Sequence, residues 1–138
     1  MSKTRSISAS GDLPAVTLPP LQFTLPWPPS VNHYYAVFRG RKIMSKAGRD
    51  YQKAAALSVL EQVGRPETIL GPVELRIVAY VPDRRKRDLS NLVKPPEDAL
   101  VHARLIGDDC QVDALHVLRG EMRPGGLLVV TLGALNPA

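Results

Sequence analysis

The stretch VELRIVAYVPDRRKRDLSNL, residues 73–92, contains a strand and its abrupt end. Val73, Leu75, Ile77 and Ala79 recur at every second position, so Val73–Val81 is predicted to be a strand with one apolar face. Pro82 and Asp83 close it. Four successive cations follow, Arg84, Arg85, Lys86 and Arg87, and then Asp88, Ser90, Asn91 and Lys94. A helical pattern covers roughly Ser90–Ala103, interrupted by Pro95 and Pro96. Proline is excluded from a helix interior but tolerated in a first turn. A tight turn is therefore expected up to Lys94, with regular helix from about Pro95–Glu97 and Gly107 as its terminator.

Downstream, Val112–Leu118 and Leu127–Leu132 read as two strands joined through Pro124–Gly125–Gly126. Upstream, Ser45 is a suitable N-cap for a helix over Lys46–Val63. Tyr51, Ala55, Val59 and Val63 recur every fourth residue there, widened by Ala56 and Leu60. Gly64–Arg65–Pro66 stops it. Tyr34–Phe38 and Lys42–Met44 flank Arg39–Gly40–Arg41 as a short hairpin. Leu21–Leu25 alternates as a first strand, ended by Pro26, Pro28 and Pro29. Residues 1–20, rich in Ser, Thr and Pro, read as a flexible N-terminal extension. The order β, hairpin, α, β, α, β, β predicts a small single α/β domain over 21–138, with a mixed β-sheet and two main helices.

The chain has 138 residues, enough for one core without staples. Lys plus Arg number 18 against 13 acids, a formal charge of +5. That excess favours anionic partners, nucleic acid first, although an ordinary basic surface has the same balance. The single cysteine, Cys110, excludes an internal disulfide and a thiolate zinc site, and fits a reducing cytoplasm. No apolar h-region and no membrane-length apolar run are present. His33, His102 and His116 lack metal-ligand spacing and read as structural.

Asp88 follows a strand, Asp108 and Asp109 precede the next one, and Asp98 lies on the helix between them. Converging carboxylates repel unless a cation holds them, and Mg²⁺ prefers such oxygen ligands. As single residues they read equally as caps and turns. Lys94 and Asp98 share a helix face, as an ion pair or as a lysine poised to neutralise a phosphate. Arg84–Arg87 and the cluster Arg39, Arg41, Lys42, Lys46, Arg49 and Lys53 fit a phosphate track or two solvated faces. Tyr34 and Tyr35, beside the second cluster, have the chemistry to stack on bases or to fill core and rim.

Several motifs in order resemble one family: LPWPPSVNHYY (25–35), RGRK (39–42), PDRRKRDLSNLVK (82–94), EDAL (97–100) and LIGDDCQV (105–112). They are similar to the RusA-type Holliday junction resolvases, small endonucleases often of phage or prophage origin. The resemblance spans about 21–133. It implies a RusA-like homodimer, acting in the cytoplasm at the nucleoid, that binds four-way junction DNA. It further implies paired, symmetric cleavage with Mg²⁺, or Mn²⁺, in DNA recombination and repair. Carried over, Asp88, Lys94 and Asp109 are catalytic. Asp88, Asp109, Asp108 and Ser90 occupy metal-ligand positions. Asn91, Arg84, Arg85, Lys86, Arg87, Arg39, Arg41 and Lys42 would contact DNA. Ser90 stands where the family usually has an aspartate. A junction-binding protein without turnover is therefore the second reading, and a Mg²⁺ hydrolase of nucleotides the third.

Overall fold

A computed structural model describes residues 16–135. Its elements are β1 (Val16–Leu25), α1 (Val31–Tyr34), β2 (Tyr35–Phe38), β3 (Arg41–Met44), α2 (Lys46–Val63), β4 (Val73–Tyr80), α3 (Lys94–His102), β5 (Val112–Arg119) and β6 (Leu127–Leu135). Single 3-10 turns occupy Leu89–Leu92 and Asp109–Gln111. The main sheet has the order β1-β6-β4-β5. The β1/β6 and β6/β4 pairs are antiparallel and β4/β5 is parallel, so the sheet is mixed. The fold is the expected small α/β domain.

β4 buries Val73, Leu75, Ile77 and Ala79 completely and turns Arg76 to solvent. Leu128, Val130 and Leu132 of β6 continue that apolar face. α2 closes it with Tyr51, Ala55, Ala56 and Val59, and α3 with Ala99 and Leu100. α2 starts where the cap predicts: the Ser45 hydroxyl accepts from the Gly48 amide at 2.9 Å. Gly48 is also a steric requirement. A Cβ there would lie 2.4 Å from the Tyr34 carbonyl oxygen, so only glycine lets α2 approach Tyr34 this closely.

Three details differ from the sequence expectations. β1 begins at Val16, five residues upstream of Leu21. Its register shifts between Thr17 and Leu21. Pro19 and Pro20 fall in that gap, on an edge strand where a missing N–H is tolerated. The remainder of the expected extension, residues 1–15, lies outside the described residues. Gly107 does not terminate α3. Arg104 takes the left-handed conformation instead, at φ 63°. The Arg104 amide bonds to the Val101 carbonyl at 3.0 Å and the Leu105 amide to the Leu100 carbonyl at 2.9 Å, a Schellman closure built on arginine. Finally, α3 starts at Lys94, with Pro95 and Pro96 accommodated in its first turn.

Candidate active site

The parallel β4/β5 pairing sets the geometry. Val73, where β4 begins, faces Val112, where β5 begins. The chain leaving β4 must return to that end through the 3-10 turn and α3 before β5 can start. A side-chain contact from Lys94 to Asp109 sets the first turn of α3 against the Asp109 turn.

Lys94 is the centre of what results. Its Nζ lies 2.7 Å from Asp109 Oδ2 and 3.2 Å from Asp98 Oδ1. Asp98 is held from behind: the Tyr34 hydroxyl donates to its other oxygen at 2.6 Å. Tyr34 is fully buried and packs edge-on to Tyr35, with ring centroids 5.0 Å apart. Burial and then the Asp98 bond push the Tyr34 hydroxyl far above its ordinary range, so it keeps its proton. The Asp109 bond raises Lys94 well above the ordinary lysine range, with Asp98 adding to it and partial burial opposing. Both bonds favour the charged ammonium. Glu97, one helical turn along, is pushed up by partial burial first and by the Asp109 charge second.

The Asp108–Asp109 turn is anchored by Gln111. Its Oε1 accepts from the Gly107 amide at 2.8 Å and the Asp108 amide at 3.0 Å. Its Nε2 donates to the Ile69 and Gly71 carbonyls, both at 2.8 Å. The Asp108 carboxylate caps the 3-10 turn, accepting from the Cys110 amide at 2.8 Å, which lowers its pKa. Gln52, Asp98, Asp108 and Asp109 line one open depression of about 300 Å³.

The structure therefore brings together Lys94, Asp98 and Asp109, with Asp108 on the same rim. Asp88, Ser90 and Asn91 lie exposed at the 3-10 turn. The convergence of three or four acids is not met: among the described residues no three His, Cys, Asp or Glu side chains stand at metal-ligand spacing. The oxygen donors of the depression still suit Mg²⁺, which commonly binds through one or two carboxylates plus substrate phosphate. This chain presents an open, half-built site rather than a closed cage.

The cations divide. Arg84, Arg85 and Lys86 are exposed. Arg87, expected to contact DNA, is paired within the loop. Its guanidinium lies 2.8 Å from Asp83 Oδ1, and its side chain is only 18% exposed. Its carbonyl accepts from Arg119 at 2.9 Å, and its Cζ sits 5.7 Å from the Trp27 ring centroid. The Arg87 bond, then the Arg85 amide, lowers Asp83 to about 2. Arg87 is the staple of the loop. The Asp83-to-Arg87 spacing of four residues was the signal for this. Tyr34, being buried, has no face free for a base. Its contribution to the site had no sequence signal beyond its place beside Tyr35, and Gln111, inside the LIGDDCQV motif, was not singled out. His33 Nδ1 lies 2.8 Å from the Ser30 hydroxyl and His116 Nε2 3.0 Å from Glu74 Oε2, while His102 lines the depression with Asp98 and Asp109.

The family model described as Endodeoxyribonuclease RusA matches residues 26–129, and the chain belongs to this family. Its relatives are named more narrowly. The crossover junction endodeoxyribonuclease RusA of Escherichia coli K12 is 40% identical over 109 residues, covering 79% of this chain and 90% of the relative. The enzyme of the same name from Enterobacteria phage HK97 is 35% identical over 115 residues, covering 83% and 95%. That from Enterobacteria phage 82 is 40% identical over 112 residues, covering 79% and 90%. No helix among the described residues is long and apolar enough to cross a membrane.

Proposed function

We propose that this protein is a Mg²⁺-dependent endodeoxyribonuclease that resolves four-way DNA junctions, acting as a homodimer with one cut from each subunit. The observation that carries this reading is Lys94, held as a cation between two carboxylates on an open face, in a chain whose relatives are named crossover junction endodeoxyribonucleases. Residues 21–138 form the catalytic domain, with β1 reaching back to Val16 as its edge.

Asp108 and Asp109, which line the depression, would hold Mg²⁺ together with substrate phosphate, and Asp88 and Ser90 at the exposed 3-10 turn would face it only once DNA is bound. When bound, Mg²⁺ supplies Lewis acidity toward the scissile phosphate and its attacking water. Lys94 offsets the charge that builds on the non-bridging oxygens. Asp98, fixed by Tyr34, keeps the ammonium aimed at the site. Arg84, Arg85 and Lys86 grip one stretch of backbone, and Arg39, Arg41 and Lys42 another, with Asn91 beside the cut. A two-fold dimer supplies two sites with the symmetry of two opposed strands. The setting is recombination and repair at the nucleoid. No observation favours the reading without turnover.

An end-labelled four-way junction, incubated with and without Mg²⁺, tests this. Paired nicks at symmetric positions in opposed strands, only with metal, are expected. Tight binding without a nick at any concentration of Mg²⁺ or Mn²⁺ overturns it. Light scattering is expected to give twice the chain mass.

A further inference from the structure

The β2–β3 hairpin forms a two-stranded sheet of its own, outside the main sheet. Its turn residues Arg39 and Gly40 have φ of 51° and 75°, the pair of left-handed conformations that a tight two-residue hairpin needs. Cross-strand pairing sets Ala36 opposite Ile43 and Phe38 opposite Arg41, so these four share a face. Val37 is 77% exposed, Phe38 57% and Ile43 42%. Cations are interleaved with them. Arg39 Cζ lies 5.1 Å from the Phe38 ring centroid, and Lys42 Nζ lies 4.4 Å from that of Tyr35. The hairpin carries three cations and no acid. Its root adjoins the site, because Tyr34, which bonds Asp98, immediately precedes β2. Four residues of strand separate the turn from that root by about 10 Å.

Exposed apolar side chains interleaved with unopposed cations suit a ligand that offers both apolar faces and phosphates. Nucleic acid does so, but only where base faces are uncovered. In a continuous duplex each base is covered by its neighbours, and inserting a side chain requires unstacking. At a branch point, base faces lie open.

Building on the DNA-cleaving reading above, we propose that this hairpin is a branch-point probe. Phe38 and Ile43 stack on the bases exposed where the helices part, while Arg39, Arg41 and Lys42 hold the flanking phosphates. Stacking tolerates any base, so the device selects structure rather than sequence at the contact.

The test compares affinities for a labelled four-way junction and a linear duplex of the same sequence, without divalent metal. Phe38→Ala should weaken junction binding about tenfold and leave duplex binding within about twofold, the loss of one stacking contact. Phe38→Trp should restore junction binding. Arg39→Ala with Arg41→Ala should weaken both substrates alike. No loss with Phe38→Ala, or equal loss on both DNAs, overturns the probe. So does dissociation of a dimer by Phe38→Ala in sedimentation, which would make the hairpin an interface between copies. A wild-type protein that does not prefer the junction sinks the functional reading and the probe together. A junction-selective wild type with an indifferent Phe38 sinks the probe alone.

Discussion

Two charged regions of this molecule are built in opposite ways. Around the first turn of α3 the central charges are held by partners: Lys94 has Asp98 and Asp109, and Asp98 has Tyr34 behind it. In the loop after β4, Arg87 alone is tied down, to Asp83, and Arg84, Arg85 and Lys86 extend into water. The contrast separates two tasks. A group that stabilises charge at one phosphate must be held in place, because misplacement forfeits the effect. A group that attracts a polyanion needs only charge and reach. Packing secures the first region, and one staple suffices for the second.

The largest effect is expected at the held region. Lys94→Met should lower the single-turnover cleavage rate by about a hundredfold or more, as loss of a positioned charge does. A rate within a few-fold of wild type would make Lys94 a surface ion-pair residue only. Tyr34→Phe is subtler. It removes one hydroxyl and keeps the ring, so the rate at saturating junction should fall roughly tenfold with the half-saturating concentration unchanged. The same substitution leaves an Asp98 oxygen without its donor, and stability should fall by about 1–3 kcal/mol in urea titrations. A loss of stability with an unchanged rate would confine Tyr34 to the core.

Effects in the loop are smaller and differ in kind. Arg85→Ala with Lys86→Ala should reduce the slope of log affinity against log salt by about one for each lost phosphate contact. Arg87→Ala should leave that slope unchanged, since its charge is already spent on Asp83. A slope that falls with Arg87→Ala would return Arg87 to the DNA interface. The smallest signal is the titration of Asp83 itself. Its folded pKa lies below the ordinary 3.8, at about 2, so the Arg87 staple is present above 3.8 and lost as pH falls through about 2. The Asp83 carboxyl carbon shift should report a midpoint near 2, and one near 3.8 would mean the staple does not form.

How far the sequence reveals these two regions differs as well. α2 was legible to both ends, because Ser45, the four-residue spacing and Gly64 are local signals. β4 was legible from its alternation. The upstream half of β1 was not, because Pro19 and Pro20 resemble an extension unless the strand is known to lie at an edge. Arg104 was hidden because the left-handed closure of α3 usually falls to glycine, and Gly107 stood nearby. At the site, the four-residue spacing predicted the Lys94–Asp98 pair. The third member, Asp109, is fifteen residues from Lys94, and Tyr34 is sixty-four from Asp98. Long-range contacts of this kind leave no periodic trace. Asp109 entered the reading through its place before the next strand and through the family motifs, and the Tyr34–Asp98 bond did not enter it at all.

The division of labour has one direct test. Junction affinity without divalent metal and single-turnover cleavage with Mg²⁺ are measured side by side for Asp109→Asn and for Arg85→Ala with Lys86→Ala. A crossed pattern is expected. Asp109→Asn should bind like the wild type and not cut. The loop variant should bind more weakly, yet cut at close to the wild-type rate once saturated. If binding and cleavage fall together in both variants, the two regions are one functional surface and the account is wrong.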